Sequence, residues 1–506
     1  MEQEQRDIKD VIKGSLVNLL GNLGKLSHLF FDLIATRFLG QTVFGYFSTT
    51  WLIMNLCFIV CYFGAHRLII DFVVTAKERD EDDYYRGILA YLMLTFLLSA
   101  MLVTGIYIYA DSVAAFMNKP ELAGYLRVMV WSAPFYCLTT VLLTATRGLR
   151  IMKLWVFVRN GLEPFLDLIF IAVLVFGWTV AVAPVLAKAM GFAAGACLSV
   201  YYYSKFFSLK KIGRRLPSFR HWKRILVFGA PVMVTDFLSI ISIKVDLVPL
   251  SIIATSAQVA VYQIILNVAN IMRNIPQAID PILMPVVVAM RVRNDASELE
   301  SIFITLLRSG LFLCVGFFVL SAVFGDRMLQ IFGDDFVYGY SALVLACMGI
   351  MLHAVFSAAE PALIMMGHPY LPLFNNILLV TVNLVLDFLL IPVYGLTGAA
   401  LGSLTACVIT VVAQITETYL WLKIKPLKRS MLYVLLYGLT IGVVFYGLRA
   451  IMTYPPVKIF YDIVLGFLFI FLYIYLGWKF LFKRRDREVI ASIFKGNVSI
   501  QKIIKP

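Results

Sequence analysis

The chain is predicted to be an all-α polytopic membrane protein with about fourteen transmembrane helices, and three observations predict it. Apolar residues make up 61% of the 506 positions, only 15% are charged, and mean hydropathy is +0.87. A soluble globular chain carries about 25% charged residues, so too little charge remains to coat several soluble domains. The apolar residues gather into runs that reach the roughly 20 residues a helix needs to cross hydrocarbon. Lysine and arginine collect in the short gaps between those runs, which is how positive-inside topology is written. Disorder, a collagen-like repeat and a disulfide-rich secreted fold are excluded by the same composition. The net charge of +14 does not mark a nucleic-acid partner, because no polar, foldable domain carries it.

The runs follow one another at 14–38, 43–70, 86–110, 123–147, 154–177, 181–204, 224–251, 257–290, 302–325, 337–365, 371–392, 396–421, 430–450 and 458–482. The first and seventh are the most polar of them. An even number of spans puts both termini on one side. With the N-terminus inside, 32 of the 44 Lys and Arg residues fall on inner gaps and ends, and seven on outer ones. Both termini are therefore expected in the cytoplasm of a cell-membrane protein. The N-terminal decapeptide MEQEQRDIKD lacks the shape of a signal peptide, so the first run is expected to be a retained span. The densest inner gap is 205–224, KFFSLKKIGRRLPSFRHWKR, which suits orientation and contact with anionic lipid.

The seven cysteines, Cys57, Cys61, Cys137, Cys197, Cys314, Cys347 and Cys407, all lie in apolar runs without a second pair at zinc spacing. They read as small core residues. No Walker loop, HExxH or GxSxG occurs, so a non-enzyme without cofactor is expected.

The chain also repeats itself. Val43 and Tyr46 recur as Val259 and Tyr262, offset by 216, and Gly148 and Asp167 recur as Gly367 and Asp387, offset by 219 and 220. Six helices separate the copies, so they share an orientation. The expected architecture is an N-lobe over 1–204 (helices 1–6), a basic linker over 205–224, a C-lobe over 225–422 (helices 7–12), and two further helices with a basic tail over 423–506. The lobes would be related by a pseudo-twofold along the membrane normal, with a site between them.

Three stretches carry a family resemblance. TRFLGQTVFGYFS, YFGAHRLIIDF and MMGHPYLPLFNNILLVTVNLVLDFLLIPVYGLTGAALGS are similar to patterns of Wzx-type polysaccharide flippases, and the order and spacing extend the resemblance over most of the chain. It points to the polysaccharide branch of the multidrug/oligosaccharidyl-lipid/polysaccharide (MOP) exporter superfamily. Asp387 departs from the pattern, where asparagine is common.

Ionisable residues inside the spans cost about 2.5–3.5 kcal/mol each by insertion scales and mark candidate sites. Lys25, His28 and Asp32 share one face of the first helix, and the seventh carries Asp236, Lys244 and Asp246. Polar faces on these two helices would meet across a water-filled cleft. In one reading Lys25, Arg67, Lys244 and Arg273 form a cationic cavity that binds a pyrophosphate. In the other they pair internally: Lys25 or His28 with Asp32, Lys244 with Asp236 or Asp246, Arg67 with Asp71. Asp32, Asp236 and Asp246 are candidates for ion coupling or a gate. Glu163 and Asp167, at i and i+4, either bind a cation or share a proton, or are a helix-start carboxylate and one buried hydrogen bond. Glu360 with His353 reads as a packing stripe, and Asn267, Asn270, Asn375, Asn376 and Asn383 as bridges between helices. Pro276, Pro281 and Pro285 predict a bend in the eighth helix.

The resemblance implies a flippase that moves an undecaprenyl-pyrophosphate-linked oligosaccharide across the cytoplasmic or inner membrane by alternating access. The product would feed O antigen, capsule or exopolysaccharide, and lipopolysaccharide assembly. Its partners would be the lipid-linked oligosaccharide, membrane lipids and the polysaccharide polymerase machinery, with coupling to a Na+ or H+ gradient. The alternatives are a cation-coupled multidrug antiporter of the same superfamily and a membrane glycan polymerase. The outer gaps near 111–122 and 326–336 are too short for a polymerase's catalytic loop.

Overall fold

The computed structural model describes residue 24 and residues 26–78, 81–149, 151–178, 180–212, 216–275, 296–368, 370–451 and 458–482. All regular structure among them is helical. Among the described residues, twelve helices are long and apolar enough to cross a membrane. The first, Ser27–Val74, covers the end of the first predicted run and all of the second, and the shorter apolar helix Ser256–Ala269 opens the eighth. The rest of that run, with Pro276, Pro281 and Pro285, lies outside the described residues. Large apolar side chains such as Phe96, Phe176, Val393 and Phe471 remain exposed on the spans. In water such a surface would drive aggregation; in hydrocarbon it is solvated.

By internal contacts the chain divides into two compact units, residues 1–260 and 261–506. The first unit begins with α1 (Leu26–Tyr62), which breaks at Gly40, where φ is 82°. Glycine alone takes that conformation without a Cβ clash, so one apolar stretch becomes two spans. A second left-handed turn, Phe63–Gly64 (φ 43° and 70°), separates α1 from α2 (Ala65–Glu78). This turn is seated on Gly229, where a Cβ would come within 2.7 Å of Phe63. The predicted single run 43–70 is thus interrupted.

Next come α3 (Glu81–Phe116), α4 (Leu122–Met129) and α5 (Ala133–Gly148). A 3₁₀ turn over Val130–Ser132 joins α4 to α5, and Pro134 opens α5, where its missing N–H costs nothing. A π-helical turn over Val156–Leu162 precedes α6 (Glu163–Trp178). Pro164 lacks the N–H that would bond to the Asn160 carbonyl, so the winding loosens there. Gly24 lies so close to that carbonyl that a Cβ would collide with it. The unit closes with α7 (Ala183–Phe206), α8 (Phe219–Lys244), α9 (Leu247–Ile253) and the start of α10 (Ser256–Ala269). Helices α6 and α7 pack together, and α7 also packs on α5.

The second unit contains α11 (Ala296–Gln330), α12 (Tyr340–Phe356), α13 (Glu360–Met365), α14 (Tyr370–Tyr394), α15 (Leu396–Leu422), α16 (Arg429–Ile451) and α17 (Lys458–Phe480). Here α15 packs on both α14 and α12, and α16 and α17 pack on α11. Small residues permit the close approaches, as they do in membrane bundles: Cβ atoms at Gly316 and Gly442 would come within 2.5 Å of Tyr473 and 2.8 Å of Val319. An ion network ties α16 and α17 to α11. Arg449 Nη2 is 2.6 Å from Asp326, and buried Asp462 accepts from Arg327 Nε at 2.6 Å and Arg449 Nε at 3.1 Å.

Candidate functional site

Among the described residues, the first unit holds a cluster of buried charge, and α6 supplies its carboxylates. Glu163 opens α6 and Asp167 follows one turn later, so both face the same side. That side meets α7 at Gly191 and Gly195. A Cβ on Gly191 would collide with Asp167 Oδ1, and one on Gly195 would lie 3.0 Å from Glu163 Oε2. The i, i+4 glycines therefore make two recesses in register with the i, i+4 carboxylates.

Each carboxylate has its own cation. Arg159, one turn before Glu163 in the π-helical segment, donates from Nη1 to both Glu163 oxygens at 2.9 and 3.0 Å. Its guanidinium lies 4.0 Å from the Tyr136 ring centroid and 5.5 Å from that of Phe192. Lys188 Nζ donates to Asp167 Oδ2 at 2.6 Å and lies 3.3 Å from His28 Nδ1. The same ammonium is 4.9 Å from the Phe31 ring and 5.3 Å from Trp51. Trp51 stacks near Phe192, and Phe192 meets Tyr136 edge to face. Ring faces attract cations, so the aromatic wall partly replaces the water these charges have lost.

The two pairs differ chemically. A guanidinium keeps its proton under any ordinary condition, so Arg159–Glu163 is a fixed pair. Lys188, Asp167 and His28 instead bring an ammonium, a carboxylate and an imidazole together. Among the described residues no group of three or more His, Cys, Asp or Glu side chains is arranged to hold a metal ion.

The other predicted residues are distributed as follows. Lys25 lies outside the described residues. Asp32 is buried on α1 and interacts electrostatically with Lys244 of α8, which also feels Lys188. Asp236, on the same helix as Lys244, accepts from Tyr62 Oη at 3.2 Å and lies 3.5 Å from His66 Nδ1. Asp246 is buried immediately before α9. Arg67 is exposed, and its expected partner Asp71 is bound by Arg224 instead. Arg273 belongs to the second unit, where His353 of α12 feels its charge. In that unit Glu360 accepts from Gln414 at 2.9 Å, and Asn375 donates to Glu417 at 2.7 Å. Sequence reasoning missed two residues. Lys188 counts as an outer cation by position but is buried within α7, and Arg159 counts as an inner-gap cation. The signal for Arg159 was available: Arg159, Glu163 and Asp167 form one i, i+4 ladder.

Outside the spans, Lys119 is buried in the α3–α4 connection and donates to the Ser251 carbonyl at 2.6 Å. Ser251 is in the last turn of α9, whose carbonyl ends favour a cation. Burial pulls the Lys119 ammonium down to about 8. Nearby, Glu121 accepts from Tyr46 Oη at 2.7 Å, which holds its carboxyl below the usual range.

A family model described as "polysaccharide biosynthesis protein" matches residues 11–293, more than half of the chain. The chain belongs to that family. A curated relative described as a probable low-salt glycan biosynthesis flippase, Agl15 of Haloferax volcanii, is 24% identical over 197 residues, 39% of this chain and 41% of the relative. The match thus spans less than half of that relative's length. Among solved structures, the inward closed conformation of the lipid II flippase MurJ is similar with a TM-score of 0.72 at 15% identity, over 93% of this chain and 100% of that one. An inward-facing multidrug transporter of the MATE family, MOP superfamily, gives 0.60 at 16% identity, over 85% and 98%. At these identities the structures show the fold. This member of the polysaccharide biosynthesis family is a multi-pass, all-α membrane protein whose fold is similar to those of MurJ and the MATE transporter.

Proposed function

We propose that this family member is a flippase that carries an undecaprenyl-pyrophosphate-linked oligosaccharide across the cell membrane by alternating access, with both termini in the cytoplasm. The observation that carries the reading is the family match over residues 11–293 on a chain that keeps cationic side chains inside its spans. Ammonium and guanidinium groups in hydrocarbon are expensive, and a pyrophosphate headgroup is a load that would use them. Arg67, Lys244 and Arg273, with Lys25, are the proposed substrate contacts. Asp32, Asp236, Asp246, Glu163 and Asp167 are the proposed coupling or gating carboxylates, working with a Na+ or H+ gradient. The lipid tail would stay in the bilayer while headgroup and glycan cross on protein groups, and the product would pass to a polymerase.

The test is complementation of a flippase-deficient strain at matched expression. Wild type should restore surface glycan, and Arg273→Ala and Lys244→Ala should each lose most of it. Restoration by all three keeps the flippase and removes these contacts. A well-expressed wild type that restores nothing but raises drug resistance replaces the flippase with the antiporter.

A further inference from the structure

The first three turns of α8 are held to the first unit mainly by polar contacts that water can replace. His221, Ile225 and Gly229 recur at i, i+4 and i+8 and are buried, while Phe219, Leu226, Val227 and Phe228 are exposed. One narrow stripe of α8 therefore meets its neighbours. That stripe lies against Phe72 of α2, whose ring is 6.3 Å from the His221 ring and 4.7 Å from the Arg224 guanidinium. Beside Phe72 each of these side chains meets a carboxylate of a different helix. Arg224 donates to Asp71 of α2, and His221 Nε2 lies 3.0 Å from Asp83 of α3. The backbone N–H of Ser218 donates to His221 Nδ1 at 3.3 Å, which leaves the proton on Nε2, facing Asp83. The Asp71 and Asp83 side chains are 52% and 40% exposed, against 2% for Asp167 in its pair with Lys188. Ion pairs so open to water are individually weak.

Farther along α8 the hold changes character. Gly229 receives the Phe63–Gly64 turn, and a Cβ on Gly64 would lie 3.0 Å from the Gly229 carbonyl. Pro231 follows inside the helix. It lacks the N–H that would bond to the Val227 carbonyl, so α8 has a place to bend between its first three turns and the rest. Beyond the proline, Asp236 meets Tyr62 and His66. Helix rise puts Asp236 about 18 Å along α8 from Arg224.

We propose that residues 219–229 are a strap that closes the cytoplasmic end of the seam between α2 and α8 and lifts about Pro231 during transport. The proposal rests on the flippase reading, which supplies the topology and the cycle. It goes beyond that reading, since Asp71, Asp83, His221 and Arg224 are not among its contacts. Elements that move are drawn from parts of a fold with few buried apolar anchors. Among the described residues, Ile225 is the strap's one buried apolar side chain. With the strap down, the two carboxylate contacts and the seated turn lie between the cytoplasmic end of α8 and Asp236, a proposed coupling carboxylate. With it lifted, water reaches Asp71, Asp83, His221 and Arg224, so opening strands no buried charge. Breaking Asp167 from Lys188 would strand two.

The experiment measures the distance between spin labels at Phe219→Cys and Val74→Cys, both exposed positions. It uses the full chain in lipid nanodiscs, with the exposed native Cys197 replaced by serine. The wild-type pairings should give a major short distance and a minor long one. Arg224→Gln should raise the long population about threefold, the scale of one exposed ion pair, and the exchanged pair Asp71→Arg with Arg224→Asp should bring it back. In complementation, surface glycan should fall in Arg224→Gln and return in the exchanged pair. Rescue by exchange separates a latch from a failure to fold. One unchanged distance in wild type and Arg224→Gln overturns the strap. A lower melting temperature in Arg224→Gln with no long distance makes the pair a structural brace and also overturns it. Full surface glycan in a variant whose strap is shifted open overturns its place in the transport cycle. Failure of the wild type to restore surface glycan, with the distances shifting as expected, overturns the flippase reading and leaves the strap, so the two failures are distinguishable.

Discussion

Asp167 on α6 and Asp387 on α14 occupy corresponding places in the two halves of the sequence, and each is almost fully buried against a glycine of the next helix. A Cβ on Gly191 would collide with Asp167, and one on Gly402 with Asp387. Around Asp167 the neighbours are ionic: Lys188 bonds to it, and one turn earlier Glu163 meets Arg159. One turn before Asp387 the contact is neutral, Asn383 Nδ2 donating to Ser403 Oγ at 3.1 Å. Repetition thus preserves the steric device, a carboxylate seated in a glycine recess, while the bond one turn earlier differs, guanidinium to carboxylate in one copy and amide to hydroxyl in the other.

The harshest way to break the comparison is to remove the cation from one side. Lys188→Met should destabilise the protein by about 3–5 kcal/mol, because it strands a buried carboxylate. Adding Asp167→Asn to it should recover much of that loss. Thermal unfolding in detergent reads both, and a Lys188→Met variant as stable as wild type would show that the pair contributes little. Next in size, Gly191→Ala and Gly402→Ala should each cost about 1–3 kcal/mol by overpacking. Similar losses would confirm that the recess is a shared device, and a large loss at only one would end the equivalence.

A milder test exchanges only the charge. Asp387→Asn, which keeps the side chain's shape in its glycine recess, should cost about 1 kcal/mol or less. Asp167→Asn should cost more, since it leaves the Lys188 ammonium without its carboxylate. Equal costs would mean that the two sites are electrically alike.

A last comparison sets Lys188 against another buried lysine. Lys119 has a carbonyl for a partner rather than a carboxylate, and burial lowers it to about 8. Between about pH 8 and the ordinary lysine value near 10.4, the unfolded chain binds the proton and the folded one does not. Stability should therefore rise with pH across that window. Melting temperature against pH should show this rise in wild type, with a flatter profile in Lys119→Met. Parallel profiles would remove Lys119 as the cause.

Much of the fold was legible because span length and apolar content are local properties. The break at Gly40 was readable, since it falls in the gap between the runs 14–38 and 43–70. The Phe63–Gly64 turn and the π-helical turn before Pro164 were not, because apolar composition continues through both. At the candidate site, Glu163 and Asp167 stood out by their spacing. Lys188 did not, since its neighbours in sequence are those of a helix entering the membrane, and only the packing of α7 on α6 buries it. Asp71 looked like a partner for Arg67 four residues away, yet Arg224, distant in sequence, takes it.

By itself the sequence determined the membrane class, the order of the spans, the repeated carboxylates and the inventory of intramembrane charge. These follow from composition and from spacing along one helix. Which cation meets which carboxylate was decided by tertiary structure alone. Ion pairing depends on distances of a few ångströms between different helices, and glycine recesses such as Gly191 and Gly402 set those distances from across the helix interface.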